Sequence, residues 1–548
     1  MLLLSLFMLA ISVNACSMER KDSDELDSTG VDNNEFIDVE DDEEDKDSMQ
    51  GNDIVDRDKK EEETLAPIVI DEATKEEGFK LLQSTLESIP LKVSEDVTHN
   101  FSNVSVHDPS VIKVDDTYYI FGSHLAAAKS VDLINWTLID SGVTKTNKII
   151  PDAMNEMEEA FTWARTNTFW APDVIQLKDG RFYMYYCNCE GSSPLSALGV
   201  AVSDNIEGPY KDLGIILKSG MTDTYSENGD RYNANIHPNV IDPDVFYDKE
   251  GRLWMMYGSY SGGIYILELD PNSGFPFESG YGKKLLGKNH LRIEGAFVQY
   301  SEETDYYYMF LSFGGLARDG GYNIRVARAK NPDGPYYDSK GQDMIDCQGP
   351  SGTFFYDRAA EQYGAKLMGN FNWKAVEGEN KSSSPGYISP GHNSTIYDEE
   401  TGRYFIIFHA RFANRGEAHE VRVHQMYLNE DDWFVISPYR YIGESIGAYS
   451  DEDVIGAYKV INHEREIAVK VNSSVNIVLK EDNTVVGDWF GTWKLTGDNY
   501  CELAIDGITY KGVFVQQWDE YGLKNVMSFT VLSEEGKAIW GSGFKALE

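Results

Sequence analysis

The sequence of 548 residues is short of basic side chains, with 48 Lys and Arg against 91 Asp and Glu and a net charge of −43. Phosphate binding needs basic patches, so nucleic acid is excluded as a partner. Cysteine is scarce as well, and the few present form no Cys/His cluster at zinc spacing. Cys187 and Cys189 lie two apart on one apparent strand. They point the same way and are poorly placed to bridge each other. Buried free thiols are expected there and at Cys347 and Cys501. No apolar repeat at helical spacing runs for long after residue 90, which argues against a helical architecture. What is abundant is Tyr (33), Trp (10) and Gly (48), a composition that favours β-structure.

The N-terminal run MLLLSLFMLAISVNA ends just before Cys16. It is too short for a stable membrane span and reads as a secretory signal over residues 1–16. Val13-Asn14-Ala15-Cys16 resembles a bacterial lipobox, in which the Cys is lipidated and becomes the new N-terminus. Secretion without a lipid is the plainer alternative. Residues 19–64 then hold 21 acidic and 6 basic side chains. Such a stretch cannot bury a core, so residues 17–66 are read as a disordered, self-repelling tether. A lead-in segment follows at 67–99, with helix-forming composition at 72–88.

One pattern then recurs five times: a short motif, a turn, and an apolar aromatic strand. The copies begin at His107-Asp108-Pro109, Ala171-Pro172-Asp173, Asp242-Pro243-Asp244, Glu294-Gly295-Ala296 and Gly391-His392-Asn393. The strands that follow are TYYIFGS, RFYMYYC, RLWMMYGS, YYYMFLSF and RYFIIFHAR. Each copy reads as a β-hairpin, with further short strands between copies. The spacing predicts an all-β fold with a five-bladed β-propeller over residues 100–449. A β-sandwich competes but leaves the five similar hairpins unexplained. Residues 450–548 form a run of strands that reads as a separate small β-barrel or sandwich, with an accessory role.

In a propeller the innermost strand of every blade lines a central channel. Asp108, Asp242 and Glu294, at the start of three such strands, are therefore expected at one channel mouth. The ordinary reading of a single Asp-Pro pair is turn chemistry. Three acids at the same place in repeated blades suit glycoside cleavage, which needs a protonated acid and a second carboxylate. A third carboxylate would help hold the pKa of the acid up.

The chain resembles glycoside hydrolase family 43, and within it the two-domain extracellular endo-α-1,5-L-arabinanases. The resemblance rests on VHDPSVIK (106–113), FWAPDVIQL (169–177), NVIDPDVFYD (239–248), RIEGAF (292–297) and SPGHNST (389–395), and spans residues 100–445. It implies Asp108 as the base that activates water and Glu294 as the acid. It implies Asp242 as the carboxylate that raises and orients that acid, with inversion of configuration. It places His107, Trp170, Asn239 and Ser259 at the substrate. It also makes His392 a contact of a calcium ion whose other ligands are largely water. Calcium prefers oxygen ligands, and a lone His is more often a core or surface residue, so chemistry alone would not suggest the ion.

The expected protein is thus a secreted or lipid-anchored bacterial monomer acting on arabinan, touching a membrane only through its lipid. An exo-acting α-L-arabinofuranosidase or β-xylosidase of the same fold is the first alternative. A loop would then close one end of the cleft, which the insertion at 141–168 and the long segment 338–388 are placed to shape. A non-catalytic sugar-binding lipoprotein is the second.

Overall fold

A computed structural model of the chain describes residues 71–89, 99–191, 193–382 and 385–547. The signal segment, the lipobox with Cys16 and the acidic tether lie outside the described residues.

Each repeated hairpin gains two more strands and becomes a four-stranded antiparallel sheet with its strands in chain order. The first blade comprises Ser110–Val114, Thr117–Gly122, Ala126–Ser130 and Thr137–Asp140. The second comprises Trp170–Gln176, Phe182–Cys189, Ser196–Ser203 and Lys211–Ser219. The third comprises Asp244–Tyr247, Leu253–Tyr257, Ile264–Leu269 and Lys283–Leu286. The fourth comprises Ile293–Ser301, Tyr306–Phe313, Asn323–Ala329 and Ala365–Met368. The fifth comprises Ile388–Asp398, Arg403–Arg411, His419–Leu428 and Phe434–Ile436. Short polar residues make the first turns. In the first blade Val114 pairs with Thr117, so Asp115-Asp116 alone reverse the chain, with Asp115 at φ 50°. In the third blade Asp248 Oδ1 accepts from the amides of Glu250 and Arg252 at 3.0 and 2.9 Å.

The aromatic second strands are sandwiched between neighbouring blades, so they read as continuous apolar runs instead of alternating. Every residue of Phe182–Cys189 is buried. Phe121, Ile149 and Phe169 meet Met184 and Tyr186 between the first and second blades. Tyr185 and Val200 meet Met255 and Tyr257 between the second and third. Ile264 and Ile266 meet Tyr307 and Leu311 between the third and fourth. Each such side chain contributes about 1.5–3 kcal/mol on burial. No strand is shared between the ends of the ring. Val106, Val111 and Ile120 of the first blade pack on Phe405, Ile407 and Val423 of the fifth, and the Val421 amide donates to the Val104 carbonyl at 3.0 Å.

Strands from Gly456–Asn462 to Ala538–Gly543 close into an eight-stranded barrel. Its interior is filled by Trp493, Phe514 and Phe529. Its outer face shares a core with the fourth and fifth blades, where Val513, Val526 and Trp540 meet Phe310, Phe408 and Phe434. The segment Phe371–Asn372 pairs in parallel with Asn472–Ser473 across the same junction. There Glu379 lies between two buried ammonium groups, Lys459 and Lys524, each with Nζ at 3.2 Å from Glu379 Oε1. The helix Glu72–Ser88 is capped by Asp71, whose carboxylate accepts from the Thr74 amide at 2.8 Å. It lays Leu82 on Val478, Val486 and Phe490 of the barrel.

The antiparallel order of each blade sorts its connections. The first turns lie at one end of the ring. The entries to the first strands and the turns between second and third strands lie at the other, which is where the repeated acids are.

Candidate active site

Three of the five inner strands carry, within them or two residues ahead of them, a motif residue forced into left-handed backbone: Asp108 at φ 55°, Asp242 at φ 57° and His392 at φ 46°. Non-glycine residues adopt this region rarely, and they hold it only where packing over-determines them. In the fourth blade Gly295, at φ 58°, takes that conformation. Glu294 is therefore offset by one residue from the two aspartates, and its longer side chain spans the difference. Register breaks follow at Trp170/Asp173, Glu294/Phe297 and Ile388/Gly391. Such bulges re-aim side chains at the rim of a sheet.

The ends of the second strands supply partners to the next blade, in the same sense around the whole ring. Ser123 Oγ accepts from the Ala171 amide at 2.9 Å. The Cys187 thiol lies beside the Asp242 backbone. Ser259 Oγ donates to Glu294 Oε2 at 2.7 Å. Ser312 Oγ accepts from the His392 amide at 2.7 Å. His409 Nδ1 accepts from the Asp108 amide at 3.2 Å and so closes the circle. One structural rule, repeated by five blades, holds the five motifs at one mouth.

Asp108 sits in a nest of imidazoles. His107 Nδ1 is 2.6 Å from its Oδ2, and His392 Nδ1 and His409 Nδ1 are 3.1 and 3.5 Å from its Oδ1. Ser123 Oγ donates to Oδ2 at 2.5 Å. Burial alone would push this carboxyl up, but the charges of His107 and His392 outweigh it and hold Asp108 well below the usual range. Asp242 and Glu294 go the other way. Burial pushes Asp242 up, against His392, and the charges of Glu294 and Asp108 add to the rise. Burial also raises Glu294, against His392 and the Ser259 bond. Tyr322 donates to Glu294 Oε1 at 3.0 Å, whereas Asp242 accepts only a 3.4 Å bond from the Gly295 amide. The pair retains a proton where ordinary carboxyls would have lost theirs, while Asp108 stays ionised. Environments that push neighbouring acids apart in this way are what acid–base cleavage requires.

His392 completes the mouth. Burial lowers its pKa, but Asp108, Asp242 and Glu294 together raise it. Its ring packs so closely on Gly295 that a Cβ there would lie 3.1 Å from His392 Cγ. Three carboxylates around one imidazole make a cradle for a positive charge. A proton on His392 fills that role, and so would a hard divalent ion held through His392 and water. His107, Asp108 and His409 also offer three ligand atoms within 4.8 Å of one another. His409 Nδ1 already accepts the Asp108 amide, which leaves that lone pair unavailable to a metal.

The other expected residues lie around this centre. Trp170 is half-buried, with Nε1 donating to the Cys189 carbonyl at 3.1 Å and its ring 5.2 Å from that of His124. Asn239 Oδ1 accepts from Ser196 Oγ at 2.5 Å and sits three residues before Asp242. Ser259, expected at a sugar hydroxyl, spends its proton on Glu294. Cys187, Cys189, Cys347 and Cys501 are buried free thiols.

Residues 98–434 match the glycosyl hydrolases family 43. The chain belongs to that family. Residues 438–541 match a C-terminal lipocalin-like domain, the eight-stranded barrel described above. This family 43 chain is 55% identical over 443 residues to the extracellular endo-α-(1→5)-L-arabinanase 2 of Bacillus subtilis, covering 81% of this chain and 93% of that one. It is 50% identical to the extracellular endo-α-(1→5)-L-arabinanase of Thermotoga petrophila, covering 84% and 98%. Among solved structures it is similar to a family 43 glycoside hydrolase from Bacillus licheniformis at 56% identity and a TM-score of 0.79, covering 81% of this chain and 99% of that one. It is also similar to the endo-1,5-α-L-arabinanase of Thermotoga petrophila at 50% identity and a TM-score of 0.77, covering 81% and 100%.

Four residues at the mouth escaped sequence reasoning: Ser123, Tyr322, His409 and Arg411. Arg411 Nη1 and Nη2 lie 3.3 and 3.5 Å from the ring nitrogens of His409 and His107. His107 and His409 stack at 4.1 Å. A signal existed for two of them. Ser123 and Ser259 end the aromatic strands TYYIFGS and RLWMMYGS at matching places, and His409 stands near that place in RYFIIFHAR. Tyr322 begins a third strand in a tyrosine-rich chain, and nothing local sets it apart.

Proposed function

We propose that the protein is a secreted, inverting glycoside hydrolase that cuts internal α-1,5-L-arabinofuranosidic bonds of arabinan. The observation that carries this reading is the split among three buried acids at one mouth: Asp108 held ionised, Asp242 and Glu294 holding a proton. The names of the Bacillus subtilis and Thermotoga petrophila relatives supply the substrate and the endo mode.

In this mechanism Asp108 takes a proton from water as it attacks the anomeric carbon. Glu294 gives its proton to the departing oxygen, and Asp242 keeps that proton on the pair until it is needed. Ser259 and Tyr322 fix the Glu294 carboxyl, while His107 and Ser123 fix that of Asp108 and His409 holds the Asp108 amide. Trp170 offers an apolar face to a furanose ring, and Asn239 and His107 border the same space. His392 would hold calcium through water, and the ion would supply fixed positive charge beside the acids. Titration of chelator-treated protein with Ca²⁺ tests this; loss of the binding heat in His392→Ala is expected. The extracellular names of both relatives favour secretion, and Cys16 would carry a lipid that tethers the enzyme to the cell surface.

The deciding experiment incubates the protein with debranched arabinan and with aryl-arabinoside and aryl-xyloside substrates while product size is followed. Mixed oligosaccharides early in the reaction support endo cleavage, and monomer alone would replace it with exo action. Glu294→Gln and Asp108→Asn should each abolish turnover in a folded protein. No release from any substrate, with sugar binding retained, would leave a lectin.

A further inference from the structure

Beside the second blade lies a cavity of about 970 Å³ that no step of the proposed mechanism uses. Its walls come from the helical insertion at 158–165, the turn at 190–195 and the segment 218–232. All three are connections at the end of the ring that bears the acids. We infer that this cavity is a distal furanoside subsite, which takes the arabinan chain several sugars away from the bond being cut. The inference rests on the arabinanase reading and extends it.

Continuity with the acid mouth comes from the turn between the second and third strands of the second blade. On one side that turn supports Trp170. Cys189 accepts the indole N–H, and a Cβ on Gly191 would lie 3.7 Å from Trp170 Cζ2. Ser196, just beyond the turn, donates to Asn239. On the other side the same turn presents Glu190 to the cavity. The one turn thus borders both Trp170 and the cavity.

The lining suits a sugar polymer. Trp163 and Tyr232 are half-buried aromatic walls; Lys218 Nζ lies over one face of the Trp163 ring, 5.0 Å from its centroid, and apolar sugar faces pack on the aromatic surface left open. Trp163 is fixed, because Nε1 donates to the carbonyls of Ser196 and Ser219 at 2.9 and 3.3 Å. Lys218 is already matched, with Nζ 2.7 Å from Glu159. Arg165 differs. It lines the cavity and has no ion pair or side-chain hydrogen bond among the described residues, in a chain where acids outnumber bases 91 to 48. An exposed guanidinium fork on the same lining as the aromatic rings can bind vicinal hydroxyls such as the 2-OH and 3-OH of a furanoside. The volume lies in the range of ligand sites.

Two variants test the subsite. Arg165→Ala removes the open donor, and Thr222→Trp fills the cavity from its exposed lip. Turnover is measured on linear α-1,5-arabinan and on the trisaccharide, which occupies only the mouth. Each variant should lower kcat/KM on the polymer about tenfold, the loss of roughly one charge-assisted contact. The trisaccharide should be cleaved as by the unmodified protein. In the Glu294→Gln background, calorimetric affinity should rise with oligosaccharide length, and the rise should flatten in both variants. Polymer turnover unchanged in both variants overturns the subsite alone, and so does an equal loss on both substrates. Failure of the unmodified protein to cleave either substrate overturns the arabinanase reading and the subsite with it.

Discussion

Ser259→Ala should move one limb of the pH–rate profile and leave the other in place. The serine hydroxyl donates to Glu294 Oε2 at 2.7 Å and has no role at Asp108. A donor of this kind favours the ionised carboxylate, so it works against the burial that raises Glu294. Removing it raises the acid further. A hydrogen bond to a charged group contributes about 1.5–3 kcal/mol, and one pKa unit corresponds to about 1.36 kcal/mol. The full effect on an isolated group would be roughly one to two units. Asp242 shares the proton and takes part of the change, so a shift of about one unit is expected. Glu294 acts protonated, and its loss of the proton sets the basic limb. That limb therefore moves to higher pH. The acid limb reports Asp108, whose contacts to His107, Ser123, His392 and His409 are intact, and it stays. The assay is kcat/KM on a linear arabino-oligosaccharide across pH, which reads the free enzyme. A basic limb that stays put or moves to lower pH, with the melting temperature unchanged, would show that Glu294 is not the proton donor.

Asp242→Asn should abolish turnover yet stabilise the fold. A carboxyl whose folded pKa is raised contributes stability below its unfolded value and loses it as pH rises through the folded one. The variant should therefore melt higher at about pH 8, by roughly 1 kcal/mol, and gain nothing near pH 3 by calorimetry. Glu379→Ala leaves Lys459 and Lys524 buried with only the more distant Asp519 carboxylate, 3.9 Å from Lys459 Nζ. It should cost about 3–5 kcal/mol in a denaturant titration while activity per folded molecule holds. Gly391→Ala places a Cβ 2.1 Å from the Tyr322 ring, so that ring must shift. Tyr322 should then leave Glu294, and kcat should fall about 100-fold with the overall fold intact by circular dichroism.

The propeller was legible because its second strands are buried on both faces and so repeat as aromatic runs that few other folds produce. The convergence of Asp108, Asp242 and Glu294 followed from that repeat once the inner strands were placed on a channel. The barrel was legible only as a run of strands, since the choice between barrel and sandwich depends on pairing such as Tyr458 with both Ile477 and Gly543, which spacing does not reveal. The partners of the acids were harder still. Tyr322 reaches Glu294 from the far side of its own blade and His409 reaches Asp108 across a blade boundary, and a contact between residues 28 or 301 positions apart leaves no local pattern. Even the one-residue offset of Glu294 is invisible in Glu294-Gly295-Ala296, where the left-handed place has passed to the glycine.

Repetition explains where the acids are, and its failure explains why they differ. The backbone offers Asp108 and Asp242 the same left-handed position, and the end of a second strand faces each of them. What faces Asp108 is His409, with His107 beside it and Arg411 behind. What faces Asp242 is Cys187, a thiol that burial itself holds protonated. Hence one carboxyl is surrounded by hydrogen-bond donors and positive charge, and the other receives a single long bond from an amide. His392 stands on the fifth blade, and Asp108, Asp242 and Glu294 all raise its pKa against burial. Burying three carboxylates together would ordinarily leave all of them neutral. The histidines on the first and fifth blades break that outcome at Asp108 alone, so the base and the acid are separated by which blade they belong to. A ring of similar blades thus becomes a directional site through the side chains that each blade contributes.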